Sequence, residues 1–87
     1  MSDAERATVL VVDDEEDVAN AYAAQLKDRY DVITAYSGAE ALDALDPSVD
    51  VVLLDRRMPE ISGDEVLNTI RERDLKARVA MVTAVDP

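Results

Sequence analysis

Three short apolar runs in this 87-residue chain each end in side chains suited to binding cations or phosphoryl oxygens. Residues 8–12 (TVLVV) lead into Asp13-Asp14-Glu15-Glu16, residues 51–54 (VVLL) into Asp55-Arg56-Arg57, and residues 79–82 (VAMV) into Thr83. If these runs are neighbouring parallel strands, Asp13, Asp14, Asp55 and Thr83 emerge on one rim, where open parallel sheets bind their ligands. Three carboxylates gathered without a cation repel one another. A hard divalent ion relieves that repulsion, and Mg²⁺ suits the site because it takes oxygen ligands and commonly uses one or two carboxylates together with phosphate. Taken singly, each residue has a plainer explanation. Asp13 and Asp14 can cap a helix, Asp55 can be satisfied by Arg56 or Arg57, and the Thr83 hydroxyl can bond to backbone. Their joint placement favours a shared Mg²⁺ and phosphate site.

The rest of the composition narrows the chemistry. The chain has no Cys and no His, which excludes disulfides, thiolate metal sites, imidazole bases and the usual zinc sites. Nine basic against 20 acidic residues give a formal charge of −11, a surface that repels phosphate backbones and anionic lipids, so direct binding of nucleic acid or membrane is disfavoured. Only Lys27 and Lys76 are lysines, the other basic residues being arginines. That acid-rich, Lys-poor balance fits either adaptation to high salt or an ordinary acidic surface. No apolar run approaches the ~20 residues of a membrane span, so a soluble cytoplasmic chain is expected.

The elements that must position the rim are legible from pattern. The chain is 48% hydrophobic with three Tyr and no Phe or Trp, so one small aliphatic core is expected. The run 8–12 is short, β-branched and bounded by polar residues, as in a strand buried on both faces, and 51–54 and 79–82 repeat it. Val18, Ala19, Tyr22, Ala23 and Leu26 fall on one helix face. Residues 31–35 (DVITA) form a weaker strand. Ser37 with Glu40 and Ser62 with Glu65 are capping-box pairs that open two helices, one burying Ala41, Leu42 and Leu45 and the other Val66, Leu67 and Ile70. Pro59 ends the third strand before the second of these helices. The resulting βαβαβαβ order implies a parallel sheet covered on both sides.

The motifs Val11-Val-Asp-Asp-Glu15, Leu53-Leu-Asp-Arg-Arg-Met-Pro59 with Gly63, and Val82-Thr-Ala84 strongly resemble the receiver domain of two-component response regulators, with haloarchaeal members in view if the salt adaptation holds. The resemblance covers residues 8–87 after a polar tail of 1–7. It implies an α/β, doubly wound, flavodoxin-like parallel sheet of order 2-1-3-4. It also implies that Asp55 is the phosphoacceptor, attacking a phosphoryl group from a histidine kinase or a small acyl phosphate. Mg²⁺ is then held by Asp14 and Asp55 directly, by Asp13 largely through water, and by the backbone carbonyl of Arg57. Thr83 is the switch hydroxyl that contacts the phosphoryl group, and small Ala84 leaves room for it. Pro59 and Gly63 shape the loop after the third strand, and Tyr22, Tyr30 and Tyr36 pack or face solvent.

Such a domain is a signalling element, not an enzyme acting on other substrates. A complete receiver continues through a further helix, strand and helix that carry the family's phosphate-binding lysine, and neither Lys27 nor Lys76 matches that place, so the chain is expected to be truncated after strand four. The exposed edge of that strand then invites a homodimer. The competing reading is a degenerate receiver fragment that serves as a dimerisation or interaction module without phosphotransfer. A phosphotransferase of the haloacid-dehalogenase type requires an acidic residue where Arg57 stands and is set aside.

Overall fold

The computed structural model describes residues 6–82. Four strands and three helices alternate: β1 (Thr8–Val12), α1 (Glu16–Leu26), β2 (Asp31–Ala35), α2 (Gly38–Ala44), β3 (Val51–Asp55), α3 (Gly63–Glu72) and β4 (Arg78–Val82). All strand pairs are parallel and the order is β2-β1-β3-β4. This is the order and alternation of a doubly wound, flavodoxin-like sheet.

Side chains one residue apart point to opposite faces of a strand, and the register sorts the apolar residues into two layers. Leu10 and Val12 of β1 align with Val52 and Leu54 of β3. They join Ala41 of α2, Leu45 at its C-cap and Val66 and Ile70 of α3 in one core. On the other face Val9 and Val11 pack with Ala19 of α1, flanked by the half-buried Tyr22, Leu26, Val51 and Leu53. The central strand β1 is buried on both faces from Val9 to Val12, as its unbroken apolar run predicts.

The other two apolar runs differ from that expectation. β3 alternates between buried and half-buried residues, and β4 is half-buried to exposed throughout. The reason is position. Among the described residues α1 is the only helix on its face, and β4 lies at the sheet edge. For the same reason only Ala19 of the α1 stripe is fully buried.

Local chemistry fixes where the helices begin and stop. Ser37 and Ser62 are the N-caps of α2 and α3, accepting hydrogen bonds from the amides of Glu40 and Glu65. Glu40 reaches back to the amide of Tyr36 at 3.1 Å, one residue earlier than a standard capping box. α1 has no basic residue in its last turn. Instead Arg6, in the polar lead-in, donates to the carbonyls of Lys27 and Tyr30 at 2.7 and 2.9 Å, placing positive charge at the negative end of the helix dipole. Arg73 similarly donates to the Leu42 carbonyl, tying the end of α3 to α2.

Ser62→Ala removes the acceptor at the start of α3, and a loss of about 1 kcal/mol is expected. Urea denaturation with an unchanged m-value checks it.

Candidate metal centre at the carboxyl ends of β1 and β3

The parallel register delivers the acidic residues to one rim. β1 ends at Val12 and β3 at Asp55, two strands that lie side by side. The Asp13 amide still donates to the Ala35 carbonyl at 3.1 Å, so the chain leaves the sheet only after that residue. Carboxylate oxygens of Asp13, Asp14 and Asp55 then lie within 4.8 Å of one another.

Two of the three are held by local backbone bonds. Asp13 Oδ1 accepts from the Glu15 amide at 2.9 Å, and Asp55 Oδ1 accepts from the Arg57 amide at 3.1 Å. The first of these is the helix-entry role that Asp13 would have in any βα turn, and it coexists with membership of the cluster. Glu15 itself occupies the N-cap position of α1 and makes no side-chain cap. Arg56, the nearest guanidinium in sequence to Asp55, is drawn to Asp64 of α3 at 3.5 Å, so it does not provide the simple neutralisation of Asp55 that the sequence alone permits. The Arg56–Asp64 pair carried no signal in the motif.

The electrostatics show the strain of this arrangement. Burial pushes the Asp55 carboxyl above its ordinary range; the Arg57 amide opposes that shift, and the charges of Asp13 and Asp14 add to it. Like charges at about 5 Å repel by roughly 1–3 kcal/mol between the dielectrics of water and of a protein surface. A donor set of oxygens alone, in which burial disfavours the Asp55 anion, fits a hard divalent cation. The lysines offer no alternative. Lys27 caps the far end of α1 and exposed Lys76 precedes β4, so both sit toward the opposite ends of the strands. Thr83 and Ala84 lie outside the described residues. Val82, which precedes Thr83, pairs with Asp55.

A parallel α/β sheet with three carboxylates converging at its rim is a doubly wound fold with an acidic pocket at the carboxyl ends of its strands, where folds of this class bind their ligands. Comparison with known proteins gives the family. Residues 9–87 match the model of the response regulator receiver domain. The chain is 61% identical over 80 residues to a candidate transcriptional regulator of Haloferax volcanii, covering 91% of this chain and 14% of that protein. It is 39% identical over 80 residues to PhoP, the alkaline phosphatase synthesis transcriptional regulatory protein of Bacillus subtilis, covering 90% of this chain and 33% of PhoP. Among solved structures, the receiver domain of a LuxO-type repressor from Vibrio parahaemolyticus superposes with a TM-score of 0.84 at 31% identity, over 94% of this chain and 65% of that one. The BeF3-activated receiver domain of DrrB superposes with a TM-score of 0.83 at 26% identity, over 94% and 69%. The chain belongs to the response regulator receiver family, and it spans a seventh to a third of the length of these two curated relatives.

The raised Asp55 carboxyl sets the sign of a pH effect. The folded state holds its proton more tightly than the unfolded state, so stability from this group falls as pH rises from the ordinary carboxylate value through the raised one. In metal-free buffer Asp55→Asn, which lacks the charge, is expected to melt above the parent chain at neutral pH, with the gap closing as pH falls through that window. Thermal melts of both proteins across pH check this; a gap independent of pH would contradict it.

Proposed function

We propose that Asp55 accepts a phosphoryl group and that the acidic rim serves this transfer. The observation that carries the reading is the convergence of the Asp13, Asp14 and Asp55 carboxylates within 4.8 Å at the strand ends. The carboxylates of Asp14 and Asp55 and the backbone carbonyl of Arg57 would hold Mg²⁺, with Asp13 acting largely through water. When bound, the ion neutralises the carboxylates and draws charge from the phosphoryl oxygens.

An ionised Asp55 oxygen attacks phosphorus in line with the leaving group. The new bond is O–P, and the bond that breaks joins phosphorus to the imidazole nitrogen of a phosphohistidine or to the carboxylate oxygen of a small acyl phosphate. The leaving group departs with the electron pair. Such transfers depend on positioning and charge neutralisation more than on a strong base, which is why a chain without histidine can accept phosphate. The Arg57 amide steadies one Asp55 oxygen. Thr83, directly after β4 in sequence, is the proposed hydroxyl contact to the bound phosphoryl group, and the contact it makes only in the phosphorylated state biases the following loop.

The donor in this reading is a sensor histidine kinase, which places the domain in the cytoplasm. Among the described residues no helix is long and apolar enough to cross a membrane. The relatives named as transcriptional regulators suggest a parent protein whose output is transcription.

A second role is favoured by β4. This edge strand exposes Met81 at 37% and borders a groove with Leu67, Ile70, Leu75 and Val79. Its first residue is Arg78, and its last, Val82, lies beside Asp55. Antiparallel pairing with a second copy would bring the basic end of one strand toward the acidic rim of the other while covering both Met81 side chains. Light scattering is expected to show concentration-dependent dimers; a monomer at millimolar concentration would rule pairing out.

Phosphorylation is tested by intact mass after incubation with acetyl phosphate. A phosphoryl-sized gain is expected with Mg²⁺ and absent with a chelator or in Asp55→Asn. No gain in the parent chain, or a gain indifferent to Asp55, would overturn the assignment.

A further inference from the structure

The chain contains only two glycines, and both press against the segment 56–62 that follows Asp55. Neither has a positive φ, so the left-handed freedom that often selects glycine plays no part at either position. Space does. A Cβ on Gly63 would stand 2.5 Å from the Asp55 carbonyl oxygen and 2.8 Å from Arg56 Cα. A Cβ on Gly38, the first residue of α2, would stand 2.5 Å from Ile61 Cβ and 2.7 Å from the Ile61 carbonyl oxygen. Both glycines are buried.

These contacts bracket the segment. At one end the Gly63 amide donates to the Arg56 carbonyl at 3.1 Å, drawing the start of α3 onto the backbone of Asp55 and Arg56. At the other end Ile61 is seated on the start of α2, while Met58 between them is buried in the core at 8% exposure. Glu60, at φ 66, turns the chain sharply just before the Gly38 contact. The Arg57 amide that holds Asp55 Oδ1 therefore belongs to a segment clamped by three buried points.

We infer that Gly63 directly, and Gly38 through Ile61, are positioning residues for the Asp55 carboxylate: the close approach of α2 and α3 sets where the Arg57 amide, and with it Asp55, stands relative to Asp13 and Asp14. The inference deepens the proposed metal and phosphoryl site and rests on that reading only for its consequence in Mg²⁺ affinity. Gly38 is the sharper test because its closest approaches are all to Ile61, six residues from Asp55.

The experiment compares ¹H–¹⁵N spectra and Mg²⁺ titrations of the parent chain, Gly38→Ala, Ile61→Ala and a control, Ala19→Gly. The control loosens a buried site on the opposite face of the sheet. Gly38→Ala is expected to shift the Arg57 and Gly63 amides and to weaken Mg²⁺ binding roughly tenfold, the loss typical of disturbing groups that orient metal ligands. Ile61→Ala reads the same contact from the loop side and serves if Gly38→Ala does not fold. Ala19→Gly is expected to lower the melting temperature while leaving those amides and the Mg²⁺ affinity in place. Unmoved Arg57 and Gly63 amides in a folded Gly38→Ala or Ile61→Ala protein would overturn the inference, as would an equal Mg²⁺ loss in the control. Shifted amides in Gly38→Ala or Ile61→Ala, together with a parent chain that binds no Mg²⁺, would uphold the positioning and remove the metal reading instead.

Discussion

Mutual repulsion among Asp13, Asp14 and Asp55 is the constraint on which the rest of the structure turns. Carboxylates at this spacing are unfavourable neighbours, and Asp55 already shows the strain in a carboxyl pushed above its ordinary range by burial and by the charges beside it. A domain this small has only a few kcal/mol of stability to spare. The cluster can persist because the elements carrying it are fixed by forces that do not depend on the charges: the doubly buried β1, the aliphatic layer around Val52, Leu54 and Val66, and the backbone ladder of the parallel sheet. The core thus holds the carboxylates in a geometry that they would not choose.

That division of labour explains how the fold makes a site without His or Cys. Stability resides in residues pointing into the two layers. Charge resides where β1 and β3 end, in Asp13 and Asp14 just after β1 and in Asp55 as the last residue of β3. Between the two sit the short loops, whose amides at Glu15 and Arg57 hold the carboxylates by single bonds. In the proposed role, a cation or phosphoryl group bound there would change the electrostatic balance at the rim and not in the core, which is the condition for a switch that does not unfold its host.

Much of this was legible in the sequence for physical reasons. The β1 run and the serine caps of α2 and α3 are local signals, and local signals survive into the structure almost unchanged. The gathering of Asp13, Asp14 and Asp55 was legible because apolar runs ended in them, although the strand order that makes β1 and β3 neighbours came from family resemblance. What pattern could not show was burial that depends on neighbours. Residues 79–82 read like β1, yet an edge strand with the same composition stays exposed. Nor could pattern show that Arg56 turns away to Asp64, or that both glycines are selected by close packing and not by a left-handed turn. Those facts are set by contacts between elements distant in sequence.

The central claim is that the three carboxylates form one cation site, and calorimetric titration of Mg²⁺ tests it most directly. One ion per chain is predicted to bind the parent protein, with binding abolished by Asp14→Asn and by Asp55→Asn and weakened by Asp13→Asn. Equal, weak and unsaturable heats in all four proteins would show that the carboxylates act as separate surface charges and would contradict the account.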